Sequence, residues 1–422
     1  MALQETFLTP RHTITIVLAG GRGERLKGLT ERESKPGLDF GGQFKIIDFT
    51  LSNCVNSGFR RVMVLTQYNA HRLLEHLQKG WGFLNGPLGE FIQPYPAEQG
   101  PGHDSWYKGT GDAVYRNLHH VMAHSPRNVL VLAGDHVYRM DYKAFLQDHL
   151  AADADLTIAC MEVPSAEASA FGVVQVDARN RITGFFEKPA DPPALPGAPD
   201  RALISMGIYF FKAGFLYDVL KGDAPDAHSS HDFGKDLIPA MVAKGATVVA
   251  HRFEHSQVAA GPGPLYWRDV GTLDAFWKAN LDLTREESPL DLHDEAWPIY
   301  THLGQLPPAK LMHTDLGPSL GGYESLVASG CVLDGATVRG SLLSTKVTMH
   351  HASEVEESVL LPGAEVGEGA RLRRVLVGRG CRIPRGMVVG EDPEMDARRF
   401  YQTPGGITLI TQGPLMALEA GA

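Results

Sequence analysis

Glycines and basic side chains follow the first apolar run of the sequence, in the stretch VLAGGRGERLKGLTERESKP that begins at Val17. Because they lack side chains, Gly20 and Gly21 would let main-chain N–H groups approach an anion closely. Arg25 and Lys35 could then neutralise charge on a phosphate group during its transfer. The spacing matches neither a Walker A motif nor the dinucleotide-binding fingerprint. A strand, a tight turn and a solvated helix therefore remain an equally good interpretation of this stretch alone.

Two aspartates follow apolar runs that lie far apart in the chain. Asp135 ends VLVLAGD, and Asp269 lies in YWRDVGT. Oxygen ligands suit Mg²⁺, and two carboxylates distant in sequence can share one ion that bridges phosphate oxygens. The alternative for Asp135 is the N-cap of a helix near Asp141, and it lies too early for that role. The two aspartates are therefore candidates for a metal site. Most aspartates are simply solvated, however, so this pair alone does not decide between the two interpretations.

Three further residues could bind a phosphorylated sugar. FFEKPAD places Glu187 beside Lys188. A lysine is a compact charge that could hold a sugar phosphate, and a carboxylate can accept hydrogen bonds from sugar hydroxyls. For an isolated Glu–Lys pair, a surface salt bridge is the more common role. Ser205 in SMGIYFF offers a small hydroxyl at the start of a predicted strand.

The adjacent residues His231 and Asp232, in SSHDFGKD, raise the question of a metal site. Neighbouring side chains in a strand or turn point apart, so we favour a structural role for at least one of the two. The same argument speaks against the pairs His119–His120 and His350–His351 as metal sites.

The first two-thirds of the chain alternates short apolar runs with amphipathic segments. The apolar runs are typical of strands buried on both faces of a mostly parallel sheet; they are ITIVLAG, RVMVLTQ, NVLVLAGD, ADLTIACMEV and GIYFFK. Between them, segments such as AHRLLEHLQKG and DYKAFLQDHLAAD show helical spacing. This alternation predicts an α/β fold with helices on both faces of the sheet. Ligands bind such sheets at the carboxyl ends of the strands, where AGGRG and AGDH fall.

A proline-rich segment, TREESPLDLHDEAWPIYTHLGQLPPAK, interrupts the alternation. We interpret residues 284–318 as a linker between a first domain at 11–283 and a second domain at 319–422. In the second domain, aliphatic residues recur at roughly six-residue steps, a period that predicts a parallel β-helix. Irregular hairpins are the alternative. The repeat is imperfect around His350–Glu357, where we expect an insertion or loop.

The overall charge limits what the protein can bind. The formal net charge is −10, which argues against general binding of nucleic acid or of an anionic membrane, because both need a basic surface. The four cysteines lie far apart without a CxxC pair, so neither a zinc site nor a disulfide framework is indicated. The N-terminus lacks a signal-peptide pattern and no apolar run reaches the length of a membrane span, so we expect a cytoplasmic protein.

Taken together, the motifs resemble those of a known enzyme family. LAGGRGERL, KP, LAGDH, AFGVV, FEKPA, SMGIY and YWRDVGT occur in the order found in nucleotide-sugar pyrophosphorylases. Longer stretches are similar to the bacterial ADP-glucose pyrophosphorylase (glucose-1-phosphate adenylyltransferase) family; they are FGGQFKIIDFTLSNCVNSG, WYKGTGDAV, EASAFGVV and SSHDFGKDLIP. The resemblance implies a Rossmann-like, GT-A-like nucleotidyltransferase domain with a mixed, mostly parallel sheet, followed by a left-handed parallel β-helix. It also implies Mg²⁺-dependent transfer of an adenylyl group from ATP to glucose 1-phosphate, the committing step of bacterial glycogen synthesis.

The resemblance also implies roles for individual residues. The nucleotide is expected at Leu18, Ala19, Gly20, Gly21 and Gly111, the last standing where the family more usually has alanine. Glucose 1-phosphate is expected at Tyr107, Gly172, Glu187, Lys188 and Ser205. The expected catalytic residues are Arg25, Lys35 and Asp135, with Mg²⁺ held by Asp135 and Asp269. Gln67 and Trp106 match positions thought to link effector and substrate sites.

Regulation by central-carbon metabolites, inhibition by AMP or phosphate-type ligands and a homotetramer are further implications of the resemblance. Candidate effector contacts are Arg32, Lys45 and Arg379. Glu33 and Asp39 lie between Arg32 and Lys45 in sequence, and the tail TQGPLMALEAGA has no Lys or Arg. We therefore expect fructose 1,6-bisphosphate to activate poorly, and any strong activator to be a smaller anion such as fructose 6-phosphate or pyruvate.

Two other functions fit parts of the sequence. Pyrophosphorylases that make UDP-N-acetylglucosamine carry an acetyltransferase site on a longer β-helix than residues 319–422 would supply. A catalytically silent regulatory subunit would be marked by loss of Asp135, Arg25 or Lys35, and all of these are present.

Overall fold

A computed structural model describes residues 10–98, 106–258, 265–313 and 324–420. Within these ranges the chain forms an α/β body followed by a coil of short parallel strands. The signal-peptide prediction rests largely on residues 1–9, and those lie outside the described residues. No helix in the described ranges is both long and apolar enough to cross a bilayer.

The α/β body contains the following elements. Its strands are β1 (Thr13–Ala19), β2 (Asp39–Phe40), β3 (Phe44–Lys45), β4 (Arg61–Thr66), β5 (Phe91–Pro96), β6 (Asn128–Ala133), β7 (His136–Tyr138), β8 (Leu156–Pro164), β9 (Gly172–Val176), β10 (Ile182–Glu187), β11 (Arg201–Lys212), β12 (Val248–Arg252) and β13 (Trp267–Asp269). Its α-helices are α1 (Ile46–Asn56), α2 (His71–Gly80), α3 (Thr110–Arg116), α4 (Leu118–Ala123), α5 (Tyr142–Ala151), α6 (Ser165–Ala168), α7 (Ala213–Asp223), α8 (Ile238–Ala243) and α9 (Leu273–Asp282). Short 3₁₀ turns cover Pro10–His12, Glu24–Leu29, Lys35–Gly37, Gly86–Leu88 and Phe253–His255, and a π turn covers Phe233–Leu237.

The large sheet of this body is mixed, which confirms the predicted fold class. β6, β1, β4 and β5 lie side by side and run parallel. β11 runs antiparallel to β6, β8 and β9, while β12 is parallel to β8 and β10 antiparallel to β9. Alternate residues of β1 enter the two cores on opposite faces, Val17 on one side and Ile16 on the other. Both faces are therefore covered, which explains the continuous apolar run.

Polar residues at the helix starts set where the elements begin. Asp141 caps α5, and its carboxylate accepts the N–H of Lys143 at 2.9 Å. Thr272 caps α9 in the same way through the N–H of Ala275. Such caps satisfy N–H groups that have no partner within the helix. Asp141, and not Asp135, is therefore the N-cap of α5, and Asp135 lies between β6 and β7.

The second body is a parallel β-helix, as predicted. Its strands are β14 (Lys310–Met312), β15 (Leu326–Val327), β16 (Val332–Asp334), β17 (Thr337–Arg339), β18 (Leu342–Leu343), β19 (Thr348–Met349), β20 (Glu354–Glu356), β21 (Val359–Leu360), β22 (Glu365–Val366), β23 (Arg371–Arg373), β24 (Val375–Val377), β25 (Arg382–Ile383), β26 (Val388–Val389), β27 (Tyr401–Gln402) and β28 (Thr408–Ile410). The helices α10 (Pro393–Arg399) and α11 (Gln412–Ala420) follow its last coils. The strands stack in three sheets around an apolar interior, and the pairing already begins at β14, within residues 284–318.

The expected insertion at His350–Glu357 is wrong. This stretch continues the coil without interruption: β20 pairs in parallel with β17 on one side and with β23 on the other. Its hexapeptide pattern is hard to see because Val355 is its one apolar residue in the core of the β-helix, while the buried Ser353 is polar and Glu354 is exposed. Ala352 and Glu357 turn the corners in left-handed backbone conformations usually taken by glycine. The departure from the repeat comes later, where α10 and β27 separate β26 from β28.

The connecting segment and the β-helix both pack on the α/β body. The N–H of Tyr300 donates to Ser52 at 2.8 Å, and the indole of Trp297 donates to Asn53 at 3.0 Å. A shared apolar core joins the bodies, with side chains of α9 packed against those of β18, β21 and β24. The β-helix is therefore held directly against the helix that follows the catalytic candidate Asp269.

Candidate active site

A cavity of about 420 Å³ lies at the carboxyl ends of β1 and β6. Ligands of parallel sheets bind at this edge, and the volume is in the usual range for small-molecule sites. Seven of the residues expected from the sequence line it: Leu18, Gly20, Gly21, Gln67, Tyr107, Asp135 and Glu187.

The glycine-rich turn brings its backbone to the wall of the cavity. A Cβ added to Gly21 would meet nothing within 4 Å, whereas one on Gly20 would lie 3.2 Å from Cβ of Gln67. Gly23 turns the chain with a φ of 66°, a conformation that favours glycine. Ala19 is buried in the core and does not line the cavity. The turn thus offers open main chain to a ligand at Gly20 and Gly21.

Lys35 brings together the two aspartates of the predicted metal site. Its Nζ lies 2.9 Å from Oδ2 of Asp135 and 2.6 Å from Oδ1 of Asp269. β7 and β13 pair antiparallel with His136 opposite Asp269, which places the two carboxylates at the same end of this ribbon. Ligand atoms of Asp135, His136 and Asp269 lie within 4.8 Å of one another. The structure therefore joins residues that are 234 positions apart in sequence.

Lys35 stabilises the charged forms of both carboxylates, and they stabilise its own. Burial alone would raise the pKa of Asp135, but the Lys35 ammonium outweighs it and lowers that pKa to about 2. Burial likewise opposes ionisation of Asp269, and Lys35 again lowers its pKa below the ordinary value. For Lys35, the two carboxylates outweigh burial and raise its pKa. A positive group at this point therefore faces two ionised carboxylates.

Arg25 lies at the solvent side of this cluster. Its guanidinium is 3.8 Å from Asp269, and about two-thirds of its side chain is exposed, at 68%. A Cβ added to Gly271 would lie 2.8 Å from both Arg25 and Asp269. The glycine of YWRDVGT thus leaves room for the charged groups beside it.

Of the residues expected to bind the sugar phosphate, Gly172 and Lys188 lie beside Glu187. A Cβ on Gly172 would lie 3.2 Å from Oε2 of Glu187, and one on Gly234 would lie 2.7 Å from the same atom. Lys188 pairs with Glu187 at 3.3 Å, has a φ of 47° and keeps 62% of its side chain exposed. Ser205 is mostly buried, and its hydroxyl accepts the N–H of Gly207 at 3.2 Å. Of the residues predicted to bind the sugar phosphate, Glu187 and Tyr107 line the cavity, and Gly172, Lys188 and Ser205 do not.

Gln67 positions Tyr107 at the cavity. Its side-chain oxygen accepts the N–H of Tyr107 at 2.7 Å, and Asn117 donates to the phenol oxygen at 3.0 Å. Trp106, which precedes Tyr107, is 57% exposed and does not reach the cavity. Gln67 is therefore in direct contact with a substrate-site candidate, and Trp106 is adjacent to one in sequence only.

Gly111 fits a close contact between α3 and the segment SSHDFGKD. Its N–H donates to the carbonyl of His231 at 2.8 Å, and a Cβ there would lie 2.5 Å from Leu237 and 2.9 Å from that carbonyl. An alanine at this position would require the segment to shift. Gly111 is buried behind the cavity wall, which its neighbours Gly109 and Thr110 form.

Several lining residues have no role in the sequence-based prediction: Thr110, Gly207, Tyr209, Asp232, Phe233 and Gly234. Asp232 caps the Phe233–Leu237 turn and accepts the hydroxyl of Thr110 at 3.0 Å. His231 instead contacts Asp223 at 2.6 Å. The motif SSHDFGKD could have pointed to Asp232, Phe233 and Gly234 as site residues. Only the fold shows that this segment lies beside α3.

A second cleft, of about 690 Å³, lies between the α/β body and the β-helix. Lys45 contacts Asp39 at 3.0 Å and Glu33 at 3.4 Å, and Arg379 of the β-helix forms an ion pair with Asp39. Burial would raise the pKa of Asp39, but Lys45 and Arg379 together lower it. Lys45 and Arg379 line this cleft, while Arg32 is exposed elsewhere.

Comparisons with known proteins match each of the two bodies to a protein family. The Nucleotidyl transferase family matches residues 14–286, and the family described as GlmU-like, C-terminal hexapeptide matches residues 307–410. A glucose-1-phosphate adenylyltransferase of Albidiferax ferrireducens is 54% identical over 97% of both chains. A relative of the same name from Nitrosomonas europaea is 53% identical over 95% of this chain and 93% of its own. Another from Rhodospirillum rubrum is 51% identical over 97% of this chain and 96% of its own.

The protein is a nucleotidyltransferase. Its α/β body places a carboxylate pair beside a glycine-rich turn, and a left-handed hexapeptide β-helix follows that body. Similarity over almost the whole length narrows the class further. The chain belongs to the glucose-1-phosphate adenylyltransferase family.

Proposed function

We propose that the protein joins ATP and glucose 1-phosphate to give ADP-glucose and pyrophosphate. The observation that carries the proposal is the pair of carboxylates, Asp135 and Asp269, that meets Lys35 beside a glycine-lined cavity. The name shared by the full-length relatives supports this choice of substrates.

The reaction is a displacement at the α-phosphorus of ATP. A phosphate oxygen of glucose 1-phosphate forms the new bond to phosphorus, and the bond from that phosphorus to the oxygen bridging to the β-phosphate breaks. Pyrophosphate leaves with the electron pair. The attacking oxygen is already anionic, so no general base is needed. The rate then depends on in-line positioning and on neutralisation of charge.

Charge neutralisation is assigned to the cluster around Lys35. Asp135 and Asp269 would hold Mg²⁺, since their donor atoms are carboxylate oxygens, and the ion would neutralise charge on the phosphate oxygens. Lys35 would turn its ammonium towards the same phosphates. Arg25 would add charge from the solvent side, because its exposed side chain is free to move.

Binding is assigned to the two sides of the cavity. The main chain at Gly20 and Gly21, with Leu18, would hold the nucleotide. Glu187 would accept hydrogen bonds from the sugar hydroxyls, Lys188 would hold the sugar phosphate, and Ser205, Gly172 and Tyr107 would shape that end. Glu187 pairs with the exposed Lys188, lies against two glycines and lines the cavity, so its carboxylate is accessible to a ligand.

The second cleft would bind small anionic effectors, in a homotetramer of the kind the family resemblance implies. Its basic side chains come from both bodies, Lys45 from the α/β body and Arg379 from the β-helix. An anion there would contact both bodies at once and could change how they pack. Because Asp39 and Glu33 already neutralise these cations, the cleft favours ligands of low charge.

The test is release of pyrophosphate from ATP with glucose 1-phosphate, compared with UTP. We expect strong preference for ATP, and loss of the signal in Asp135→Asn. Preference for UTP together with acetyl transfer to a sugar would support an N-acetylglucosamine enzyme instead. No release with either nucleotide, in the presence of effectors, would indicate a regulatory subunit.

A further inference from the structure

Three side chains with metal-ligating atoms form a cluster separate from the catalytic one. Asp148 lies on α5, His251 on β12 and His255 at the end of the following 3₁₀ turn. Their ligand atoms all lie within 4.8 Å of one another. Oδ2 of Asp148 is 2.6 Å from Nδ1 of His251 and 4.0 Å from Nδ1 of His255.

His251 is fixed in orientation by its other ring nitrogen. Nε2 lies 2.8 Å from the hydroxyl of Ser256, and that hydroxyl donates to the carbonyl of Phe253 at 3.3 Å. In the tautomer in which this hydroxyl donates to Phe253, Ser256 accepts the Nε2–H of His251. Nδ1 of a neutral His251 then presents its lone pair to the carboxylate of Asp148. Two such acceptors at this distance hold a cation between them, either a proton or a metal ion.

The surroundings suit a metal ion as that cation. The side chain of His251 is fully buried, whereas Asp148 is 47% and His255 59% exposed, so the site is rigid on one side and open to solvent on the other. Ligand histidines in proteins characteristically donate their second N–H to a fixed acceptor, and Ser256 lies where it would accept that hydrogen from a metal-bound His251. Two imidazoles and one carboxylate match the donors preferred by Zn²⁺ rather than by Mg²⁺, which favours oxygen ligands.

We propose that Asp148, His251 and His255 form a second, structural metal site that takes a Zn²⁺-type transition-metal ion, with water in the fourth position. Typical Zn–N and Zn–O bonds of about 2.0–2.2 Å place neighbouring ligands about 3.3 Å apart. Asp148 must therefore withdraw slightly from His251 while His255 approaches. Both are exposed and can change rotamer without disturbing the core.

A metal here would fasten α5 to the chain that leads to the catalytic strand β13. The main-chain carbonyl of Ser256 accepts the N–H of Asp141, the N-cap of α5, at 2.8 Å. The next residue, Gln257, accepts the N–H of Tyr266 at 3.1 Å, just before the strand that carries Asp269. Zinc would thus raise stability without entering the reaction.

The experiment must separate this site from the catalytic aspartates, which could also bind zinc. We would measure Zn²⁺ binding by equilibrium dialysis in full-length Asp135→Asn protein, alone and combined with His255→Leu, Asp148→Asn or the control His228→Leu. His228 is exposed and belongs to neither cluster. We expect one tightly bound Zn²⁺ per chain, weakened at least tenfold by His255→Leu and Asp148→Asn and unchanged by His228→Leu.

Two further readouts give the proposal a sharp outcome. With Co²⁺ as the probe, the protein carrying the intact cluster should show the visible absorption of tetrahedral cobalt, and the His255→Leu protein should not. The thermal midpoint should rise with Zn²⁺ only when the cluster is intact. Equal Zn²⁺ affinity in the His255→Leu and His228→Leu proteins would overturn the proposal and leave a proton between Asp148 and His251.

Discussion

The ammonium of Lys35 lies 2.6 Å from Asp269, and the same nitrogen lies 2.9 Å from Asp135. Lys35 therefore serves as the counter-ion of both carboxylates that we propose to hold Mg²⁺. Two positive charges cannot share this position without repulsion, so entry of the ion requires Lys35 to move away. The residue thus links metal binding to the arrival of phosphates that can receive its ammonium.

We first predict that Lys35→Gln binds a divalent ion more tightly when no nucleotide is present. Removing a unit charge about 4 Å away in a partly buried site changes the electrostatic energy by a few kcal/mol, on the order of 4 at an effective dielectric constant of 20. An increase in Mn²⁺ affinity of at least tenfold is expected, measured by electron paramagnetic resonance. Arg22→Gln, at an exposed arginine, is the control. Unchanged or weaker Mn²⁺ binding in Lys35→Gln would contradict the prediction.

Asp135→Asn should keep the fold and lose most turnover. The carboxylate lies at a strand end and lines the cavity, so it contributes charge rather than packing. Loss of one such electrostatic contact typically costs about 10²–10³ in kcat. Circular dichroism and initial velocities at saturating Mg²⁺ would test this, with the exposed Asp153→Asn as the matched control. Near wild-type turnover would remove Asp135 from the mechanism.

Lys188→Gln should raise the half-saturating concentration of glucose 1-phosphate and leave that of ATP nearly unchanged. Lys188 contacts Glu187, on the sugar side of the cavity, and is more than half exposed, at 62%. Because solvent screens an exposed charge, the expected loss is about tenfold, or about 1.4 kcal/mol. Substrate titrations of the purified enzyme measure both constants. Equal weakening of the two substrates would show that Lys188 does not discriminate between them.

Fructose 1,6-bisphosphate should activate less potently than fructose 6-phosphate or pyruvate. Asp39 and Glu33 already pair with Lys45, and Asp39 also pairs with Arg379, so a doubly phosphorylated ligand meets two carboxylates. Initial velocities at subsaturating ATP and fixed salt give the order of potency. Glu33→Gln should then improve fructose 1,6-bisphosphate more than the smaller anions. A bisphosphate at least tenfold more potent in the unmodified protein would refute this reading of the cleft.

The stability of the α/β body should fall as the pH drops from about 6.5 towards 4, partly because of His149. Burial, together with a smaller effect of Lys212, lowers the pKa of His149 from 6.5 to about 4, even though Asp155 and Asp153 oppose the shift. Between these values the unfolded chain binds the proton and the folded protein does not, so stability is present above pH 6.5 and lost below it. From pH 7 to pH 5 this group costs about 2 kcal/mol.

Urea unfolding of wild type and His149→Gln at both pH values isolates that contribution, because the other titrating groups are common to the two proteins. The loss of unfolding free energy between pH 7 and pH 5 should be smaller in His149→Gln. Identical losses would mean that His149 titrates normally in the folded protein.

The sequence by itself determined the class of fold and several residues of the site. The apolar runs placed the strands because both sheet faces are covered, and a motif that follows a strand must lie at the carboxyl edge of the sheet. Leu18, Gly20, Gly21 and Asp135 could be found in this way. The six-residue period predicted the β-helix because each of its sides must turn one aliphatic residue inward.

Only the tertiary structure decided which distant groups touch. Sequence spacing carries no information on the contact between Lys35 and Asp269, nor on that between Asp39 and Arg379, which are 340 residues apart. It also misplaced the irregular coil, since outward-facing polar residues hide an inward Val355. Local patterns fix which face a residue presents, whereas long-range electrostatic pairing depends on how separate elements pack in three dimensions.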